Sequence, residues 1–218
     1  MPQNIPADRL PAVMLYLHGA GNRGDDNESQ LNGFAEQIEE HKDKFNFIVI
    51  IPQCPLDRFW DERMLDRANK ALDDTVTEFK ADRSRLYLAG FSLGGYGVWT
   101  MSALHPGKFA AVVPMSGRVL PRPNELKDIS KEIAQMSGTL DPYKTFAEKI
   151  GNTPAWIFHG GDDKVVPPES SRRMFAAMKT AGNQNVRFEE TQGKGHEPLA
   201  FGAPGFFEWL AAQSLYRK

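Results

Sequence analysis

Leu86-Tyr87-Leu88-Ala89-Gly90-Phe91-Ser92-Leu93-Gly94-Gly95-Tyr96-Gly97-Val98-Trp99 is the stretch that decides the fold. Leu86–Ala89 reads as a buried strand, and Gly90-Phe91-Ser92-Leu93-Gly94 fits G-x-S-x-G as the chain turns from that strand into a helix. The physical requirement is specific. A serine in this pattern stands on a strained turn with its hydroxyl exposed, and its flanks are small because strand and helix cross closely there. The competing reading is a glycine-rich turn with an incidental serine. With 19 glycines in the chain, a chance match is expected only about 0.1 times.

Working outward, short apolar runs alternate with longer stretches of helical period, the pattern of a mostly parallel sheet of about six strands with helices on both faces. Val13–Leu17, Phe47–Ile51, Leu86–Ala89, Ala111–Met115, Ala155–Phe158 and Val186–Glu190 are the expected strands. All but the last are apolar nearly throughout, as strands buried on both faces are; the mixed last run suits an edge. Leu65, Ala68, Leu72, Val76 and Phe79 share one helical face, as do Leu31, Phe34 and Ile38, and Met174, Phe175 and Met178. Pro167-Pro168-Glu169 reads as a helix start and Gly205–Leu215 as the last helix. Between Ser116 and Pro154 two helical patterns appear: Leu126, Ile129, Ile133 and Met136, then Tyr143, Phe146 and Ile150. One crossover helix would suffice, so residues 119–153 are expected either as a small lid or as two packing helices. The whole chain, 1–218, reads as a single domain.

A serine hydroxyl is a poor nucleophile until a base takes its proton, and a carboxylate must hold that base in one tautomer. Where the nucleophile sits on such a turn, acid and then histidine follow it along the chain. Downstream, a strand runs into His159-Gly160-Gly161-Asp162-Asp163-Lys164-Val165-Val166-Pro167, and the next ends before Gly193-Lys194-Gly195-His196-Glu197-Pro198. Of the five histidines, His41 and His105 read as surface positions at helix ends. His18 and His159 end strands in His-Gly pairs, which suits a turn or supporting role. His196 alone lies on a loop in the required order. Asp162 and Asp163 are both candidates for the acid, with Glu197 a remote third. A tetrahedral intermediate also needs N–H donors for its oxyanion; Leu93, just after the serine, and Ala20, in the loop after the first strand, are the candidates.

Other chemistries fit less well. Gly19-Ala20-Gly21-Asn22-Arg23-Gly24 matches the dinucleotide pattern G-x-G-x-x-G. Asp25-Asp26-Asn27-Glu28 then puts acid where a pyrophosphate would sit, and no acidic residue ends the next strand to hold a ribose. A net charge of −2, from 26 basic and 28 acidic residues without a basic block, gives no footprint for nucleic acid. No histidine or cysteine cluster has metal-ligand spacing, so no metal or other cofactor is expected. One cysteine, Cys54, precludes a disulfide within the chain. No apolar run approaches the roughly 20 residues of a membrane span. The start of the sequence does not read as a signal peptide, so a soluble protein is expected, cytoplasmic or exported with its leader removed.

Taken together, the motifs resemble the phospholipase/carboxylesterase group of α/β-hydrolases, and within it the branch labelled predicted peptidases, alongside feruloyl and acetyl esterases. The resemblance rests on Leu17–Asn27 (L-H-G-A-G-N-R-G-D-D-N), Pro52–Pro55 with Trp60 following, Gly90–Trp99, the acidic loop before Pro167 and the Gly195-His196 loop, and it runs across nearly the whole chain. It implies the α/β-hydrolase fold, a Ser92–Asp163–His196 triad with the acid two residues before Val165-Val166-Pro167, and oxyanion donors at Ala20 and Leu93. It also implies a small-molecule ester substrate cleaved through an acyl-enzyme. Members commonly carry G-H-N-S-W or G-H-D-x-W where this chain has Gly195-His196-Glu197-Pro198-Leu199, a departure that falls on the pocket. Trp60, Phe91 and Tyr96 are candidate pocket walls, and Arg118 a candidate contact for a polar substrate group. A thioesterase or lysophospholipase-like deacylase would use the same residues, and a non-catalytic binding module could share the fold. A dienelactone-type hydrolase would need a cysteine nucleophile, and Cys54 is in the wrong place for one.

Overall fold

The apolar runs pair edge to edge. The computed structural model describes residues 9–216, and in it β1 (Val13–Leu17), β2 (Ile48–Ile50), β3 (Leu86–Phe91), β4 (Ala111–Met115), β5 (Ala155–Gly160) and β6 (Val186–Thr191) form one sheet. Its order is β2-β1-β3-β4-β5-β6, and every neighbouring pair is parallel. The mixed strand β6 is an edge, and β1 and β3 lie next to one another inside the sheet. This is the α/β-hydrolase fold.

Alternation along the strands builds two cores. Val13, Leu15 and Leu17, with Leu86, Leu88 and Ile157, point to one face. Met14, Tyr16, Tyr87, Trp156 and Phe158 point to the other. The first face is covered by α2 (Glu62–Glu78), α3 (Leu93–Leu104), α4 (Lys131–Ser137), α5 (Pro142–Ile150) and α6 (Glu169–Thr180). The second lies beneath α1 (Phe34–Glu40), α7 (Phe206–Ala211) and an aromatic cluster of Phe45, Phe47 and Phe201. Helices fall on both faces because every link between parallel strands must cross over the sheet.

Local chemistry sets several helix ends. Asp61 accepts a hydrogen bond from the Met64 N–H (3.1 Å) and starts α2, and Asp141 does the same for Lys144 in α5 with Pro142 in the first turn. Some boundaries differ from expectation. Leu31 belongs to a short 3₁₀ turn, Ser29–Leu31, and is exposed, because Gly33 adopts φ 78° and α1 starts only after it. Leu126 is also exposed and outside α4, which Ser130 caps through the Ile133 N–H. The last helix ends at Ala211, four residues short of Leu215.

Within 119–153, α4 buries Ile133 and Met136, while α5 buries Phe146, Ala147 and Ile150 in the same core as α3 and α6. These two helices therefore belong to the layer covering the sheet. Among the described residues, no helix is long and apolar enough to cross a membrane.

Candidate active site

Ser92 sits between β3 and α3 with φ 56° and ψ −113°, a backbone conformation rare for a residue with a Cβ. The surroundings over-determine it. The Ser92 N–H donates to Met115 O (2.9 Å), and its C=O accepts from Tyr96 N–H (3.2 Å). Gly94 lies so close to β1 that a Cβ there would stand 1.7 Å from the Leu17 carbonyl oxygen. No side chain fits. The half-buried Ser92 is thereby held at the end of the sheet where the strands' C-termini meet, the usual place for ligands in such sheets.

His196 reaches this serine from the loop after β6. Its Nε2 lies 2.8 Å from Ser92 Oγ and its Nδ1 2.7 Å from Asp163 Oδ2. A carboxylate only accepts, so Nδ1 carries the proton and Nε2 is free to accept the serine's. The Phe91 ring packs against the imidazole, with centroids 4.8 Å apart. Asp163 is buried, and its Oδ1 accepts from the backbone N–H groups of Val165 (2.8 Å) and Val166 (2.9 Å). Burial works to raise its pKa; the bonds from His196, Val166 and Val165 outweigh that and hold it below the usual carboxylate value. Asp162 is exposed and its side chain takes no part; its N–H donates to Lys194 O (2.9 Å), tying acid loop to histidine loop. Glu197 turns away to Lys194 (3.3 Å).

The loop after β1 lies against the serine. A Cβ added at Gly19 would be 3.6 Å from Ser92 Cβ, and Ala20 follows in a 3₁₀ turn, Ala20–Asn22. Arg23 steadies this turn by donating through Nε to Ala20 O (3.0 Å) and through Nη1 to Arg58 O (2.9 Å). Leu93 opens α3, where first-turn N–H groups have no intrahelical acceptor. His18 is buried. Its Nε2 accepts from Cys54 N–H (3.0 Å), which leaves Nδ1 as the donor toward Gly19 O (2.7 Å). Gly19–Gly24 does not run into a long helix as a dinucleotide loop does, since α1 begins only at Phe34.

Two of the expected pocket walls are core residues. Trp60 is 1% exposed and donates its indole N–H to His18 O (3.0 Å), and Tyr96 is fully buried. Tyr96 is four residues past Ser92, but α3 is enclosed on nearly all sides, so that turn faces neighbouring elements. Burial also pushes its phenol up to about 12. Arg118 stacks over the Tyr96 ring (4.4 Å) and pairs with Glu125, so its charge is already neutralised. Phe91 alone of the four touches the histidine. Cys54 is buried with its thiol pushed up to about 12, far from a thiolate.

Sequence reasoning missed the neighbouring segment. Ser116, with φ 47°, follows β4 and donates its N–H to Phe158 O (2.8 Å). A Cβ at Gly117 would approach the Gly95 Cα to 2.6 Å, so this turn is packed against the start of α3. The Met115-Ser116-Gly117 spacing after a strand was the available signal, and it says nothing of its partner.

The sequence profile of the prolyl oligopeptidase family matches residues 56–206, and the chain belongs to that family. It is 29% identical over 119 residues to feruloyl esterase B of Neurospora crassa, covering 49% of this chain and 39% of that protein. It is 25% identical over 129 residues to acetylxylan esterase A of Emericella nidulans, covering 54% and 40%. Among solved structures it resembles a thermostable esterase at 27% identity and TM-score 0.76, over 98% of this chain and 58% of that one. The chain thus spans about two fifths of the length of these curated relatives.

Proposed function

We propose that this chain is a serine hydrolase of carboxylic esters, with Ser92 as nucleophile, His196 as base and Asp163 as the orienting acid. The observation that carries the reading is the unbroken hydrogen-bonded path Ser92 Oγ–His196 Nε2, His196 Nδ1–Asp163 Oδ2, at 2.8 and 2.7 Å. His196 takes the hydroxyl proton as Ser92 attacks the ester carbonyl. The Ala20 and Leu93 N–H groups hold the oxyanion, each such donor being worth about 3 kcal/mol in the transition state. His196 then gives the proton to the departing alcohol, leaving Ser92 acylated. Water, deprotonated by the same imidazole, releases the acid and restores the serine.

Esters are favoured over amides because all three relatives described above bear esterase names. Two of those names point to feruloyl and acetyl-sugar esters, the substrate classes we infer here. A fluorophosphonate probe should modify Ser92 covalently, and the S92A variant should lose both labelling and hydrolysis of p-nitrophenyl acetate. A panel of feruloyl, acetyl-xylan and peptide-anilide substrates then ranks acyl and leaving groups. A folded protein that neither labels nor hydrolyses any of them would sink the proposal.

A further inference from the structure

His159 is the second imidazole at this site. It is fully buried near the end of β5, and its ring meets two other pieces of chain, the 163–166 loop and α6. Its Nε2 lies 2.8 Å from Val166 O and 3.4 Å from Asp163 Oδ2. Val166 O only accepts, so Nε2 carries a proton and donates it there, with the carboxylate beside the bond. Its Nδ1 lies 2.7 Å from Ser171 Oγ, in the first turn of α6. With Nε2 protonated, a neutral ring receives the Ser171 hydroxyl proton at Nδ1.

Resting on the esterase reading, we propose that His159 is a positioning residue for the catalytic acid, fixing the 163–166 loop so that Asp163 Oδ2 stays aligned with His196 Nδ1. Apart from His196, the Asp163 carboxylate is held by the N–H groups of Val165 and Val166, both on the loop itself. Those bonds fix the carboxylate relative to its loop, whose start is tied down by Asp162 N–H to Lys194 O (2.9 Å) and Asp163 N–H to Gly160 O (3.2 Å). His159 anchors the other end, because it stands on the sheet and grips the carbonyl of Val166, the peptide next to one of the two amides. Its ring also stands 3.4 Å from Asp163 Oδ2, the oxygen that His196 uses, and limits the room the carboxylate has on that side. The charged and titratable groups around it are Asp163, His196 and Glu190, the last engaged by Arg172 at 2.8 and 2.5 Å. Burial holds the His159 pKa below its ordinary value. A neutral donor does not compete with His196 as a second cation for the carboxylate.

The test compares His159→Leu with His159→Gln, whose amide keeps an N–H where Nε2 stood. Turnover of p-nitrophenyl acetate is expressed per fluorophosphonate-titratable site, which removes any unfolded fraction. The leucine variant is expected to lose about 10–100-fold in kcat, the usual penalty for an outer partner of a reacting group, with KM nearly unchanged. The low-field proton resonance of the His196–Asp163 bond should broaden or vanish. The glutamine variant should recover most of the rate and the resonance. Should the leucine variant fail to fold, Ser171→Ala takes its place, removing the partner of Nδ1, with a smaller kcat loss in the same direction. A folded leucine variant with wild-type kcat and resonance overturns the proposal, as does equal loss in both His159 variants. If wild-type Ser92 never labels, the esterase reading itself has failed, and the positioning role falls with it.

Discussion

The Ser92 corner and the Asp163–His196 corner of this site are built by different means. At the first, β1, β3 and α3 meet backbone to backbone: the Gly94 Cα faces the Leu17 carbonyl, and the Gly117 turn packs on Gly95. Side chains are excluded there, and sterics hold Ser92. At the second, loops after β5 and β6 are stitched by hydrogen bonds from His196, His159, Val165 and Val166 to one carboxylate and its loop. Both corners contain a crowded glycine, since a Cβ at Gly160 would come 2.1 Å from Gly195 O. The difference is in what can yield. Leu17 lies on a strand inside the sheet, in register with Gly90 of β3, whereas Gly195 lies on a loop at the edge. A rigid neighbour turns a clash into lost stability; a loop turns it into lost alignment.

The sharpest way to break that contrast is Gly94→Ala. It should cost more than about 4 kcal/mol, the range reserved for clashes that cannot relax, and leave little soluble protein. A well-folded G94A protein in urea titration would mean that β1 or α3 can move. Next, Asp163→Asn should leave the fold intact but lower kcat by about 10³–10⁴-fold, because an amide no longer holds the correct tautomer of His196. Steady-state kinetics per titrated site measures it. Gly160→Ala should fall between the two kinds of effect, costing about 1–3 kcal/mol of stability and about 10–100-fold in kcat as the 194–196 loop shifts. If it is as destabilising as Gly94→Ala, the loop is as rigid as the sheet.

The smallest effect concerns pH. Each corner holds one buried histidine, His18 or His159, whose pKa is driven down chiefly by burial, and His105 adds a third farther away. An unfolded chain protonates these rings at about pH 6.5 while the folded one resists. Their contribution is therefore complete above that pH and declines as pH falls below it. Asp163 behaves in the opposite range: its lowered pKa stabilises above about 3.9 and the benefit is lost only as pH falls through the still lower folded value. Urea titrations at pH 7, 6 and 5 should thus show stability falling with acid through the histidines alone. The slope should shrink in His159→Gln by at most about 1.4 kcal/mol per pH unit, the weight of one proton. An unchanged slope would mean that His159 is already protonated in the fold.

Much of this arrangement is legible in the sequence. Strand positions followed from apolar runs, because burial on both faces leaves no room for polar alternation, and the serine's turn followed from glycines that only a close crossing requires. Ser92, His196 and an acid at 162 or 163 are identifiable by residue type and order, and the structure brings Ser92, His196 and Asp163 together in one hydrogen-bonded path. Between Asp162 and Asp163 the bare sequence offered no choice; only the resemblance pointed to the second, and the fold leaves the first exposed. The pocket was less readable. Trp60 and Tyr96 have the aromatic character of a substrate wall, yet character does not say which way a side chain faces once α3 is enclosed by its neighbours.

What the sequence by itself determined is local: where the chain extends, where it coils, and where a small residue permits a sharp turn. Those depend on residues a few positions apart, and the pattern records them. What only the tertiary structure decided is which buried groups share an atom. His159 and His196 are 37 positions apart in number (196 − 159) and stand 3.4 and 2.7 Å from Asp163 Oδ2, and Gly117, just past β4, meets Gly95 in α3. Such meetings are set by how the sheet stacks its strand ends, a property of the packed chain that no single segment carries.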